Sequence, residues 1–409
     1  MLVENKIDRQ ELRFQFINPI AMKKRIILVA CFIVLMTVTV YSAFLIFSPE
    51  TNYGADRGLF SLKEVVISDS SLKNTVINIE EAIQYKNLQI FPLTGLFGIK
   101  DKTYITLQDA MERKLVKVDE TSDVNELSLT NMSDEHVFIL SGDIVKGGKQ
   151  DRTLQYDIIV APKEKNLPLA SFCVEQGRWS QRGDENAAMF AVSEYNTSSR
   201  DLKVSAKKLR SQGAVWKKVK TQKDKLESNI SEINNEDYAF GNASVTSLQL
   251  ALEDSALIQI REEYGEAFIG LKSVPNLVGL AYAINGEVYG LDVFNNKLVY
   301  DLRAKMVDAF VNEAISDRDS AKVGLVASAD DVYDLLRKPA DKADMHKSEA
   351  VNTETVFETQ VYGKVNRFIT YDAGLNTWLH LNVIKESDET AGEPTHDYII
   401  DVEDVEERR

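Results

Sequence analysis

Cysteine is almost absent: the 409 residues hold two, Cys31 and Cys173. Cys31 lies in an apolar run and Cys173 in the polar remainder, so the two are not expected to meet. No structural disulfide is available, and the thiol content fits either redox compartment. Histidine is nearly as sparse. His136, His346, His380 and His396 are scattered, with no His-x-x-x-His and no paired cysteines, so metal-ligand spacing is missing and no metal site is expected. Positive charge is in deficit, with 48 Lys and Arg against 63 Asp and Glu and a formal net charge of -15. A polyanion meets a repulsive average surface, so nucleic acid is not an expected partner, and an anionic ligand needs a local basic patch. Nothing in the pattern names a cofactor. A hydrophobic content of 44% excludes a disordered chain and supplies a sizeable core.

Only one long hydrophobic run occurs, Ile26 to Phe47, which has no Asp, Glu, Lys, Arg or His and whose only ionisable side chains are the thiol of Cys31 and the phenol of Tyr41. As a helix it extends roughly 33 Å, enough for a bilayer core of about 30 Å. A cleaved signal peptide is the rival reading, but its apolar region is shorter, and Tyr41 spoils the most plausible cleavage site. Lys23, Lys24 and Arg25 precede the run, whereas Glu50, Asp56 and one base, Arg57, follow it. The positive-inside bias then predicts a cytoplasmic segment 1–25, a single membrane span 26–47 and an extracytoplasmic body.

Residues 48–86 read as a tether and domain entry, with a short helix at Ile79 to Tyr85, and the body is expected over 87–385. Short apolar segments such as Leu88 to Phe91, Val137 to Leu140, Tyr156 to Val160 and Leu169 to Val174 predict strands. Thr106 with Asp109 predicts a capping box for one short helix. Leu209, Trp216, Val219, Leu226, Ile230 and Ile233 then share a helical face, as do Leu248, Leu252, Ala256 and Ile260. Asn285-Gly286 between two apolar runs predicts a type I′ hairpin. Leu298, Leu302, Met306, Phe310 and Ala314 predict another helix, Ser328 with Asp331 caps a further one, and Val356 to Tyr362, Phe368 to Tyr371 and Trp378 to Ile384 read as closing strands. From Glu386 the chain becomes an acidic tail, expected to be disordered. The predicted fold class is α+β, a mixed-sheet domain with inserted helices behind a transmembrane helix.

The densest chemistry lies between Ser141 and Arg152. Gly147 and Gly148 permit positive φ and can expose successive N–H groups to an anion, with Lys149 and Arg152 adding charge. The spacing misses a Walker loop by one residue, and a tight strand connection with solvated bases is the bland alternative. Glu175 to Trp179 forms a second cluster: Arg178 beside Trp179 suits a planar anionic group, while Glu175 can instead be its salt-bridge partner. Cys173 in an apolar strand reads as a buried inert thiol. Ten Lys and Arg between Arg200 and Lys225 make a basic helix, read as a solvated face or an attraction for anionic lipid heads or a nucleotide. Gln212 and Trp216 share a face there. Asp292 and Glu313 read as isolated structural acids.

Asn87 to Leu93, Gly142 to Arg152, Cys173 to Trp179, Val278 to Glu287 and Asp292 to Phe294 together resemble the ARG and Rhodanese-Phosphatase-superfamily-associated Protein domain over about Glu80 to Lys385. Asp143 stands where Glu is common in that pattern, and Asp151 where Asn is common. The resemblance implies a domain associated with ADP-ribosylglycohydrolase and phosphatase-like proteins, not a mechanism. Two readings follow. In the first, the body binds an anionic small molecule of nucleotide or phosphate kind. Its ligand-binding residues are Gly147, Gly148, Lys149, Gln150, Arg152, Arg178 and Trp179, with Glu175 or Asp143 as acid or base if there is chemistry. In the second, the same blocks stabilise a sheet corner of a membrane-tethered interaction domain.

Overall fold

The structure is a computed structural model. It describes residues 63–67, 72 and 75–390, apart from 122, 192–196, 242–245, 323 and 338–341. The apolar run Ile26 to Phe47, and the tail beyond residue 390, lie outside the described residues. Among the described residues no helix is long and apolar enough to cross a membrane.

A ten-stranded antiparallel sheet forms the spine. Its order across the sheet is Lys63–Ile67, Thr75–Ile79, Leu88–Gly95, Leu277–Ile284, Glu287–Phe294, Thr377–Lys385, Val365–Asp372, Thr355–Tyr362 and Met345–Ala350, and Ile83–Tyr85 also pairs with Leu88–Gly95. The segment expected to hold a helix, Ile79 to Tyr85, therefore supplies parts of two strands, and the sheet begins before residue 87. Its apolar residues pack across a pleat that the helical spacing concealed. Leu277–Ile284 is buried at all eight positions. Leu280, Tyr282 and Ile284 face one core and Ala281 and Ala283 the other, the period-2 burial of a strand covered on both sides, while the register shift between Leu277 and Gly279 puts Val278 with the second set. At Gly279 a Cβ would stand 2.2 Å from the Asp292 carbonyl oxygen, so only glycine lets the two backbones approach there. Asn285 and Gly286 have φ of 53° and 77°, the type I′ turn expected between these strands.

One face is covered by helices Gln212–Asn234, Ser255–Ala267 and Val299–Ser316. The other is covered in part by Ala329–Leu336, whose Ser328 and Asp331 form a complete capping box. At Leu107–Glu112 only half of that device exists: Thr106 accepts from the Asp109 N–H, while the Asp109 carboxylate pairs with Arg113. The second predicted helical stretch is broken, because Asp254 caps a new helix after Leu248–Leu252.

A six-stranded sheet runs Phe190–Ala191, Ile144–Gly147, Arg152–Leu154, Leu167–Cys173, Glu126–Asn131 and Val116–Glu120. A third sheet holds Ile158–Val160, His136–Ile139 and Tyr104–Thr106. The last two strands of this third sheet run parallel, so the mixed pairing expected of the domain is confined there.

Candidate functional site

Ile144–Gly147 and Arg152–Leu154 are adjacent antiparallel strands, and the connection between them carries the glycine pair. Gly147 and Gly148 have φ of 118° and 52°, positive values of the kind that glycine permits. A Cβ on Gly148 would stand 2.4 Å from the Phe190 ring. The N–H groups are not aimed outward. Gly147 N donates to Asp151 Oδ1 at 3.0 Å, Gly148 N to the carbonyls of Asn186 and Met189, and Lys149 N to Glu120 Oε2 at 3.1 Å. The expected anion cradle of backbone N–H groups is thus closed by the protein's own acceptors, because Asp151 and Glu120 reach the turn before a ligand can.

The segment after Leu167–Cys173 folds back over this turn. Arg178 Nε donates to Glu175 Oε2 at 2.6 Å, and its Nη atoms reach the carbonyls of Gly147, Gly148 and Ser180. Gln150 Nε2 donates to the Glu175 carbonyl at 2.7 Å. The two sequence blocks therefore converge in one cluster, with the Glu175–Arg178 pair that the structural reading foresaw. Arg182, which the sequence did not single out, clamps the same acids. Its Nη1 stands 2.9 Å from Asp151 Oδ2 and 3.2 Å from Glu175 Oε1, and Nη2 bonds Glu185 at 2.9 Å. Ser247 Oγ donates to Asp151 Oδ2 at 2.9 Å. Burial raises the Asp151 carboxyl against the pull of Arg182, with the neighbouring Glu175 charge acting in the same direction as burial.

Arg152 is fully buried. Its Nη1 donates to Gln150 Oε1 at 3.1 Å and lies 2.6 Å from Cys173 Sγ, but Nε and Nη2 have no hydrogen-bond acceptor, and the nearest carboxylate oxygen to Nη2, on Glu120, is 3.7 Å away. Above it Trp179 is 41% exposed, with the Arg152 guanidinium 5.6 Å and Lys149 Nζ 5.1 Å from its ring centroid. Cys173 is buried, and burial pushes its thiol up to about 11, as expected of an inert thiol. Gln212 does not face a ligand. Its amide bonds both the N–H and the carbonyl of Cys173 at 2.8 Å, tying a helix start to the strand end.

Asp143 belongs elsewhere. It sits at the opposite end of Ile144–Gly147, roughly 13 Å from the glycine pair by strand rise. It is buried against Lys305 at 2.7 Å, and burial raises its carboxyl. Beside it lies a second buried polar centre. His380 places Nδ1 2.7 Å from Asp157 and Nε2 3.0 Å from Asp292, and stacks on Phe294 with ring centroids 4.2 Å apart. With a carboxylate at each ring nitrogen, the arrangement favours the imidazolium, which donates from both. Burial opposes that charge, but Asp157 and the two hydrogen bonds raise the His380 pKa overall. Lys207 Nζ donates to Asn382 at 2.6 Å and to Ser141 at 3.2 Å, and burial pushes this lysine down to about 7. Asp292 is therefore a member of a network, not an isolated acid. Glu313 accepts from the Arg200 N–H at 2.7 Å and from Tyr282, and burial pushes it up to about 7.

The basic stretch from Arg200 to Lys225 is not one helix face. A π-turn, Ser205–Leu209, ends at Arg210 in the left-handed region, and a new helix starts at Gln212. Lys207, Lys218 and Lys223 are buried, while Lys208, Lys220 and Lys225 pair with Glu386, Asp224 and Asp317. The glutamate expected to open the tail is thus itself buried and paired. Among the described residues no cluster of His, Cys, Asp and Glu has metal-binding geometry.

An antiparallel ten-stranded sheet, helices packed on its faces and a buried arginine–carboxylate cluster on a side sheet define an α+β domain. The chain belongs to the ARG and Rhodanese-Phosphatase-superfamily-associated Protein domain family, whose model matches residues 76–384. No curated protein and no solved structure matches the chain.

Proposed function

We propose that this is a membrane-tethered protein whose extracytoplasmic body binds an anionic small molecule with a planar moiety, of nucleotide kind, at Arg152, Lys149 and Trp179. The observation that carries the reading is the Arg152 guanidinium, buried beneath the exposed Trp179 ring with two nitrogens unmatched by any acceptor. Leaving such donors unmet costs about 1–3 kcal/mol each, and a phosphate or carboxylate oxygen would meet them. Trp179 supplies the stacking face and Lys149 a second charge. Arg178, Arg182, Asp151 and Glu175 form the rigid floor. Glu175 has both oxygens engaged by arginines, and Asp143 lies at the other end of its strand, so the reading is binding without an assigned acid or base.

The test is calorimetric titration of the full chain in detergent with ADP-ribose and with ADP. Saturable binding that Lys149→Ala and Trp179→Ala each weaken about tenfold at unchanged melting temperature is expected, in line with one lost charge or stacking contact. Absence of binding, or binding indifferent to both substitutions, overturns the reading. Membrane tethering is tested separately by protease added outside intact cells or spheroplasts: digestion of the body is expected, and full protection refutes the orientation.

A second reading, a non-catalytic interaction domain, is favoured by one observation: the N–H groups of Gly147, Gly148 and Lys149 are already donated within the protein. On that reading Arg178→Ala lowers stability, and no ligand titrates.

A further inference from the structure

On a different part of the body, the edge strand Met345–Ala350 faces the six-stranded sheet across a cavity of about 450 Å³. Its walls include Asp123, Asn125, Glu126, Tyr156, Pro168 and Glu349, and no basic residue lines it. Asp123 and Glu126 are exposed and form no ion pair among the described residues. Glu349 is already answered by Arg210 and by Lys347 at 3.0 Å. The Arg210 side chain shows what the wall accepts: its guanidinium lies 5.8 Å from the Tyr156 ring centroid while it pairs with Glu349. An aromatic ring beside a carboxylate is a site for an organic cation.

A second observation comes from Asn125, which is 6% exposed. Its backbone is fixed, since its N–H donates to Asp123 Oδ1 at 2.9 Å and its carbonyl accepts from Ser171 at 2.9 Å. Yet its side-chain Nδ2 has no partner. A buried carboxamide N–H group without an acceptor is costly unless something brings one.

We infer that this cavity binds a small organic cation, a guanidinium or primary amine with a carbonyl or hydroxyl oxygen nearby. The cation takes the Asp123 and Glu126 side, and the oxygen accepts from Asn125. The volume holds a molecule of amino-acid size with room to spare.

The probe is Nα-acetylarginine amide, titrated calorimetrically into the full chain in detergent, with Nα-acetylnorleucine amide as the uncharged counterpart of similar length and the same carbonyl groups. The arginine derivative should bind saturably at one site and the norleucine derivative should not. The Asp123→Asn, Glu126→Gln double variant, altered only at exposed positions, should weaken binding roughly fivefold or more, as expected for the loss of two solvent-screened charges. Asn125→Ala should weaken it too, with circular dichroism checking the fold of each variant. Equal binding of the two derivatives, no saturable heat at millimolar ligand, or an unchanged affinity in the double variant overturns the inference.

Discussion

The Arg182 guanidinium meets both carboxylate oxygens of Asp151, at 2.9 and 3.1 Å, across 31 residues of chain. It is the fastener of the loop that carries Trp179, since the same guanidinium also holds Glu175 and Glu185.

Arg182→Met removes the clamp and leaves Asp151 and Glu175, both fully buried, with less compensation. Breaking a buried pair from one side costs about 3–5 kcal/mol. Urea unfolding should show a loss of that order, and Arg182→Lys should recover only part of it, because an ammonium cannot span the same acceptors. A loss below about 1 kcal/mol, the level of exposed pairs, would contradict the assignment.

Lys207 gives a pH dependence of definite sign. Its folded pKa, lowered to about 7 by burial, lies below the ordinary value of 10.5, so between these limits the unfolded chain holds a proton that the folded one has released. Stability rises with pH wherever the unfolded state binds more protons. The penalty is therefore full below about pH 7 and fades towards 10. Lys207→Met should be most favourable relative to the parent at pH 6, the difference shrinking by a few kcal/mol as pH climbs. A pH-independent difference in chemical denaturation sinks the idea.

Glu313 runs the other way. Folded, it keeps its proton up to about pH 7, whereas its ordinary value is 4.5, so the parent loses stability as pH rises between the two. Glu313→Gln carries no such charge, and its stability relative to the parent should grow from pH 4.5 to 7 and then level off. Thermal melts in that window decide it.

Cys173 should be silent. In a Cys31→Ala background the folded protein should resist an iodoacetamide or maleimide reagent, and modification should follow the unfolding curve in urea. Rapid labelling of the native state would refute the burial of this thiol.

Local features of the fold were readable because their causes are local. Asn285-Gly286 demands its turn, Ser328 and Asp331 cap each other three residues apart, and the buried face of Gln212–Asn234 repeats at helical spacing. Ile79 to Tyr85 misled because two short strands show too few residues for a period to emerge. The glycine turn and the Glu175–Arg178 pair were legible as residue types, but their closure was not, since the acceptors Asn186 and Met189 arrive from a later strand approach. Arg182 carried no signal: one arginine in a polar turn, with partners at Asp151 and Ser247. The His380 centre draws on Asp157, Asp292 and Lys207, which no spacing rule connects.

The central partnership of the large sheet joins Leu88–Gly95 to Leu277–Ile284, and the strand beyond Glu287–Phe294 is Thr377–Lys385. A ribosome delivering this chain therefore releases an early strand whose neighbour is not yet synthesised, and the sheet cannot be completed until the last strand emerges. Such distant pairings fold slowly and leave open edges meanwhile. Nascent chains truncated before Thr377 should consequently remain protease-sensitive and in need of chaperones, whatever the body goes on to bind.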